Sequence, residues 1–308
     1  MQIMNLIQAL PGAAAQGLIW GIMAIGVYLT FRVLDIADLT VDGTMCTGGA
    51  VCIMMMLNGH NVWISLLVAT LAGMAAGLLT GVFHTFMGIP AILAGILTQL
   101  SLYSVNLKIM GKANQAINVD KYNILVSLRR IKNVPITQNT ILIVALFIIV
   151  VIAVLYWFFG TELGCSLRAT GCNANMSRAQ GINTNFCKVL GLMISNGLVA
   201  LSSALLAQYQ GFADVNMGRG AIVIGLASVI IAGVVFKRFD YNYALRMLGV
   251  VGGAILYYIV IAVVLWLGLE TTDLKLISAL IVAAFLALPH LKGKYAASHV
   301  KRGGGKNA

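Results

Sequence analysis

LGCSLRATGCNANMSRAQGIN, residues 163–183, separates two strongly apolar runs, ILIVALFIIVVIAVLYWFFG (141–160) before it and VLGLMISNGLVALSSALLA (189–207) after it. Each run has about the 20 residues needed to cross a hydrocarbon core roughly 30 Å thick. The interruption carries Arg168 and Arg178, Lys188 follows it, and no acidic residue occurs from Leu163 to Ala213. Gly171 and Gly181 bracket a piece long enough for two to three helical turns. Asn173 is placed to accept from its first backbone N–H groups and Gly181 to let the chain exit. Ala169, Ala174 and Ala179 would allow a partner to approach closely. A short basic helix between two spans reads as a docking surface for another protein, with an amphipathic connector lying on lipid headgroups as the alternative.

Composition sets the class. Of 308 residues, 60% are hydrophobic and 9% charged, whereas soluble domains carry about 25% charged residues. So few charges cannot cover a water-soluble fold, and the chain is an all-α polytopic membrane protein. Four prolines against 33 glycines fit helices packed through small residues. The N-terminus lacks a basic stretch ahead of its first apolar run, so a cleaved signal peptide is not expected. Apolar spans are expected near 12–31, 44–58, 62–84, 89–110, 139–160, 187–209, 219–236, 241–268 and 273–291. That makes about nine (eight to ten), the second short and the seventh interrupted or re-entrant. Together they form one transmembrane domain over 1–291, followed by a basic tail, 292–308.

The net charge of +11 has a membrane explanation, because Lys and Arg collect in the loops that set orientation, and it gives no case for nucleic acid. Lys292, Lys294, Lys301, Arg302 and Lys306 place the C-terminal tail in the cytoplasm. Counting back puts Glu270 and Asp273 outside, Lys237 and Arg238 inside, and residues 163–188 inside. Segment 106–138, with Lys108, Lys112, Lys121, Arg129, Arg130 and Lys132 against Asp120, then falls on the extracytoplasmic side against the charge rule.

Three of the nine acidic residues cluster in LDIADLTVDGTMCTGG, as Asp35, Asp38 and Asp42. A carboxylate inside a span faces a cavity or a partner, and neighbouring threonines and glycines point to a helix interrupted within the membrane. A turn in which Asp35 and Asp38 cap the second span is the plainer reading. Asp38, Asp42, Thr44, Gln99, Asn196 and Gln208 are the expected pathway residues, set against the plainer role of hydrogen-bond links between helices. Gly73, Gly77 and Gly81, like Gly17 and Gly21, recur at four-residue intervals and predict close helix contacts. The five cysteines show no disulfide or metal spacing, His60, His84, His290 and His299 no catalytic one, and no GxxxxGK[ST] motif occurs. No cofactor or metal is expected on this chain.

Two stretches together carry a resemblance. LRATGCNANMSRAQGIN resembles the cytoplasmic coupling loop of permeases in bacterial ATP-binding-cassette importers, in the family serving branched-chain amino acids, ribose-type sugars and nucleosides. Arg168, Ala169, Gly171, Asn173, Ala179, Gly181 and Ile182 occupy that loop's pattern, and Arg178 lies within it. DIADLTVDGTMCTGGAVC resembles the family's early Asp-Leu-Ser/Thr-Val segment. Asp42 stands where sugar permeases carry a neutral residue, so the likeness leans toward amino-acid permeases, aromatic ones included.

The resemblance implies a non-catalytic transport subunit in a multi-pass plasma-membrane protein. It implies a second permease subunit (a homodimer or a close relative), a cytoplasmic ATPase dimer that binds ATP and Mg, and an extracytoplasmic solute-binding protein. The remaining alternatives are a sugar or nucleoside permease, and an ion-coupled carrier using Asp38 or Asp42 as a proton relay. A distant third is an intramembrane enzyme that pairs these two carboxylates on one helix face.

Overall fold

The computed structural model describes residues 2–118, 121–122, 124–128, 139–236, 242–267 and scattered positions from 276 to 287, with side chains from residue 9 onward. Most of the expected ninth span (273–291), Lys237 and Arg238, Arg129, Arg130 and Lys132, the Glu270–Asp273 loop and the basic tail lie outside them.

Six helices begin on a side-chain cap. Asn61 opens α3 (Val62–Thr85), Asn139 opens α5 (Thr140–Gly160) and Thr161 opens α6 (Glu162–Cys172). Asn173, Asn183 and Asn242 do the same for α7 (Ala174–Ala179), α8 (Thr184–Gln210) and α10 (Tyr243–Trp266). Such caps satisfy N–H groups that a helix start leaves without partners. α1 (Gln2–Tyr28) runs on into a π-helical turn, Leu29–Val33, and α4 (Ala91–Met110) ends at Gly111 with φ 69°. Besides α4, which follows Pro90, two helices start with no side-chain cap on the residue before them: α2 (Thr40–Leu57), after Leu39, and α9 (Ala221–Val235), after Gly220. Those two starts prove to be where the polar groups gather.

Among the described residues, seven helices are long and apolar enough to cross a membrane, and α9 is a shorter apolar one. All eight lie on the expected spans, so the multi-pass helical class holds. α8 is the central post; its 27 residues span about 40 Å. α1 and α3 run antiparallel to it. Gly26 of α1 closes on the Ser195 carbonyl, and Gly73, Gly77 and Gly81 of α3 close on Asn196, Leu192 and Val189. A β-carbon at Gly81 would lie 3.0 Å from the Val189 Cα, so the glycine stripe sets this contact. Gly17 and Gly21 seat α1 on Ile255 and Val251 of α10. α3, α4 and α5 turn large apolar side chains outward, among them Leu67, Leu100, Leu146 and Trp157; in a membrane-spanning chain these face lipid.

α2 runs parallel to α8, with Thr44 beside Asn196, Gly48 against Ala200 and Cys52 beside Gln208. Asn196 is near the midpoint of α8, so α2 begins halfway through the bundle. α9 also begins there, because Gly225 packs on Met23 and Val27 of α1 at the level of Gly26. Both short helices therefore have N-termini in the interior. The interruption expected near the second and seventh spans takes two forms: a non-helical connector ahead of α2, which at 18 residues is still long enough to cross a membrane, and α9, which at 15 residues is a half-span.

A two-stranded antiparallel ribbon joins β1 (Asn114–Ala116) to β2 (Phe212–Asp214), pairing Gln115 with Ala213. It is the feature an all-helical expectation does not contain. β2 follows the C-terminus of α8 and α7 precedes its N-terminus, so the ribbon and α7 lie at opposite ends of the bundle. The described part of segment 106–138 thus lies across the bundle from residues 163–188.

Candidate functional site

Asp38 sits in the connector between the end of α1 and the start of α2, and is 3% exposed. Its Oδ1 accepts from the Thr40 backbone N–H at 2.9 Å, and its Oδ2 accepts from Asn196 Nδ2 at 2.7 Å. It therefore supplies the cap that Leu39 cannot. Asn196 is fully committed: Nδ2 also donates to the Leu192 carbonyl at 3.0 Å, and Oδ1 accepts from the Thr44 hydroxyl at 2.7 Å. The chain of bonds continues from Thr40 to Thr80 at 2.6 Å and from Thr80 to Thr98 at 2.9 Å. Four helices, α2, α3, α4 and α8, meet through this buried network. A side-chain network with every member paired fixes the arrangement of the helices that carry it.

Asp42 does the same for α9. Its two carboxylate oxygens accept from the backbone N–H groups of Gly220 and Ile222, each at 3.0 Å. The positive end of the half-span dipole is met by a fixed negative charge from α2. Gly218 lets the two segments touch, since a β-carbon there would collide with the Asp42 carbonyl oxygen. Asp38 precedes α2 and Asp42 lies within its first turn. The two carboxylates do not share a helix face; each is spent on a different helix start, which removes the paired-acid arrangement an enzyme would need. Asp35 is exposed in the same connector, with φ 56°.

The other expected pathway residues divide. Thr44 and Asn196 belong to the network. Gln99 is half-buried on α4, where its Cα would lie 3.0 Å from a β-carbon at Gly43. Gln208 stands apart: fully buried, its Oε1 accepts from the Leu125 N–H at 3.2 Å and its Nε2 donates to the Cys52 sulfur at 3.5 Å. It fastens the ribbon-end loop to the bundle.

At the opposite end, the bracketed piece is smaller than expected. α7 has six residues, under two turns, with Asn173 Oδ1 accepting from Met176 N–H at 3.0 Å and Gly181 leaving at φ 82°. Gly171 is no boundary of it. It lies in α6, an eleven-residue helix, where a β-carbon would collide with the Val33 carbonyl oxygen. Leu167 is buried beside Gly191. α6 is thereby clamped to the end of α1. Ala169, Asn173, Arg178, Ala179 and Gly181 are exposed and Ile182 is half-buried. Arg178 donates to the Thr184 hydroxyl at 3.2 Å, and Arg168 lies 6.0 Å from the Tyr243 ring centre and donates to the Cys165 sulfur at 3.4 Å.

Sequence reasoning missed Thr40, Thr80 and Thr98, although threonines facing a glycine-rich neighbour were the available signal. Among the described residues no group of His, Cys, Asp and Glu side chains is arranged to hold a metal ion.

Comparison with known proteins follows from this architecture. A family model for the permease component of branched-chain amino acid transport systems matches residues 10–287. A tyrosine transport system permease protein of Clostridioides difficile is 40% identical over 276 residues, 90% of each chain. An uncharacterized protein of Rickettsia prowazekii is 34% identical over 284 residues, 91% of this chain and 96% of that one. An autoinducer 2 import system permease protein of Yersinia pseudotuberculosis is 28% identical over 218 residues, 69% of this chain and 58% of that one. With 278 matched positions running through every described span, the chain belongs to the ATP-binding-cassette permease family of branched-chain amino acid transport systems.

Proposed function

We propose that this permease is driven through α6 and α7 by a cytoplasmic ATPase dimer and imports an amino acid delivered by an extracytoplasmic binding protein. A second permease subunit completes the pathway, and ATP and Mg bind on the ATPase, not on this chain. The observation that carries the reading is the α6–α7 surface. It is short, basic and exposed beyond Glu162, with Met176 64% exposed, yet it is clamped to the end of α1 at Gly171. A rigid protrusion of this kind can receive a push and pass it inward. Arg168 and Asn173 remain the proposed intersubunit contacts, with Ala169, Arg178, Ala179 and Gly181 around them and Gly171 and Ile182 anchoring from beneath.

The amino-acid reading draws on the 40% identical relative named for tyrosine transport. The internal carboxylates support it over an ion-coupled carrier, because Asp38 and Asp42 are both engaged as helix caps. In this reading Asp38, Thr44 and Asn196 hold the gate elements together beside the pathway, and Gln99 and Asp42 flank it.

Native thiols test the orientation. Cys165 and Cys172 are exposed on α6, whereas Cys46, Cys52 and Cys187 are buried. A membrane-impermeant maleimide should label α6 in inverted vesicles, not in right-side-out ones, and ATPase binding should protect it. Labelling from the exterior medium would sink the proposal.

A further inference from the structure

At the ribbon end, a cavity of about 1160 Å³ opens between the first half of α1, the start of α9 and the second half of α10. Aromatic side chains form part of its wall, mostly by their edges: Trp266 is the most open at 36% exposed, while Trp20, Tyr209 and Tyr258 are under 10% exposed and Tyr257 is fully buried. Trp20 and Tyr258 lie 5.8 Å apart between ring centres, Tyr257 meets Tyr258 edge-on at 5.5 Å, and Trp266 and Tyr209 extend the lining. Arg219 is the one charged side chain among the described residues that line it. Arg219 is exposed, and its guanidinium makes no hydrogen bond or ion pair with any described residue.

We propose that this cavity receives the transported amino acid by its aromatic side chain, with Arg219 holding the carboxylate. The inference rests on the amino-acid reading above and adds where, and on which side-chain class, the permease makes its selection. Three features of the lining match three features of such a solute. Trp266 and the exposed edges of Trp20 and Tyr258 offer ring contacts that favour a flat aromatic group over a branched aliphatic one of similar size. A planar guanidinium suits a carboxylate in two-point contact. Gln16 and Asn216 in the lining offer neutral polar groups to the solute's ammonium.

The volume exceeds the usual range of about 300–1,000 Å³ for small-molecule sites. The solute therefore enters with water around it and is held loosely, as a vestibule that must also release its cargo requires. The floor of the cavity includes Gly220, the residue whose N–H is held by Asp42. Solute in the vestibule thus sits directly over the start of the half-span α9.

The test uses the complete importer and one engineered thiol, Ala262→Cys, in the cavity wall, with Cys165 and Cys172 replaced by serine. L-phenylalanine should slow maleimide labelling of Ala262→Cys several-fold, and L-leucine at the same concentration should not. Adding Arg219→Gln should abolish the protection while leaving the labelling rate without solute unchanged, which separates loss of binding from loss of fold. Tyr258→Phe should keep protection and Tyr258→Leu should lose it. Uptake of phenylalanine or tyrosine by the unmodified importer is measured in parallel. Absent uptake overturns the amino-acid reading and the inference with it. Uptake with an unprotected thiol, or with equal protection by leucine, overturns the inference alone.

Discussion

Removing the Asp42 carboxylate leaves the start of α9 without its acceptors. The two bonds to Gly220 and Ile222 are each 3.0 Å long, and Gly220 has no side chain to replace them. Hydrogen bonds to a charged group contribute about 1.5–3 kcal/mol each. Asp42 is half-buried, so water screens part of the interaction and replaces part of what is lost, which favours the low end of that range. Asp42→Ala is therefore expected to destabilise the permease by about 2–4 kcal/mol. Asp42→Asn keeps one acceptor oxygen without the charge and should cost about half as much. Equilibrium unfolding of the purified protein in detergent, followed by tryptophan fluorescence, gives the order wild type, Asn, Ala. Trp20 and Trp266 line the cavity above α9, so they report the local event directly. The reasoning fails if Asn and Ala are equally damaging, or if neither lowers stability by about 1 kcal/mol, the value of a single ordinary hydrogen bond.

Gly171→Ala forces a methyl group into the Val33 carbonyl and should cost about 1–3 kcal/mol by overpacking; ATPase assembly should persist while solute-stimulated ATP hydrolysis falls, both read on the reconstituted complex. Asn196→Leu strips the buried Asp38 carboxyl of a 2.7 Å partner and should cost about 1–3 kcal/mol, as when a buried polar group is left unsatisfied; chemical unfolding measures it, and Thr44→Val, which removes a single hydroxyl bond, should cost about 1 kcal/mol. Gln208→Leu frees the Leu125 N–H, so hydrogen exchange at residues 124–126 should quicken while uptake stays near wild type.

The spans were legible because a membrane helix must be both apolar and long, and both properties are written locally. The run 141–160 predicts α5 (Thr140–Gly160) almost to the residue. The glycine stripe of α3 was equally legible, since four-residue spacing puts small residues on one face whatever the partner. Identifying that partner as α8 was not possible, because nothing local in Gly77 names Leu192. The Asp38 and Asp42 cluster was visible as an anomaly of charge in an apolar chain. Its meaning depended on depth: a carboxylate that caps α9 from α2 joins residues 180 positions apart. The ribbon was hidden for the same reason, three residues on each strand being too few to show an alternating pattern.

These pieces connect the two ends of the molecule. Gly171 presses α6 on Val33, and Leu34 lies against Gly191, so the end of α1 is gripped where a partner would push. From there the connector makes only local backbone bonds, Leu34 to Leu29 and Ile36 to Thr30, and is held to the bundle by side chains, Leu34 against Gly191 and Leu39 against Gly95. It ends at Asp38, which holds the start of α2 to the middle of α8. Asp42, one turn further along α2, holds the start of α9 beneath the aromatic cavity. In the proposed mechanism a shift of α6 would reach the cavity floor through this connector and two carboxylates, one at the N-terminus of α2 and one at that of α9. Two helices whose N-termini start inside the bundle, held by side chains of another segment, give such a displacement something to act on that a bundle of uninterrupted helices would lack.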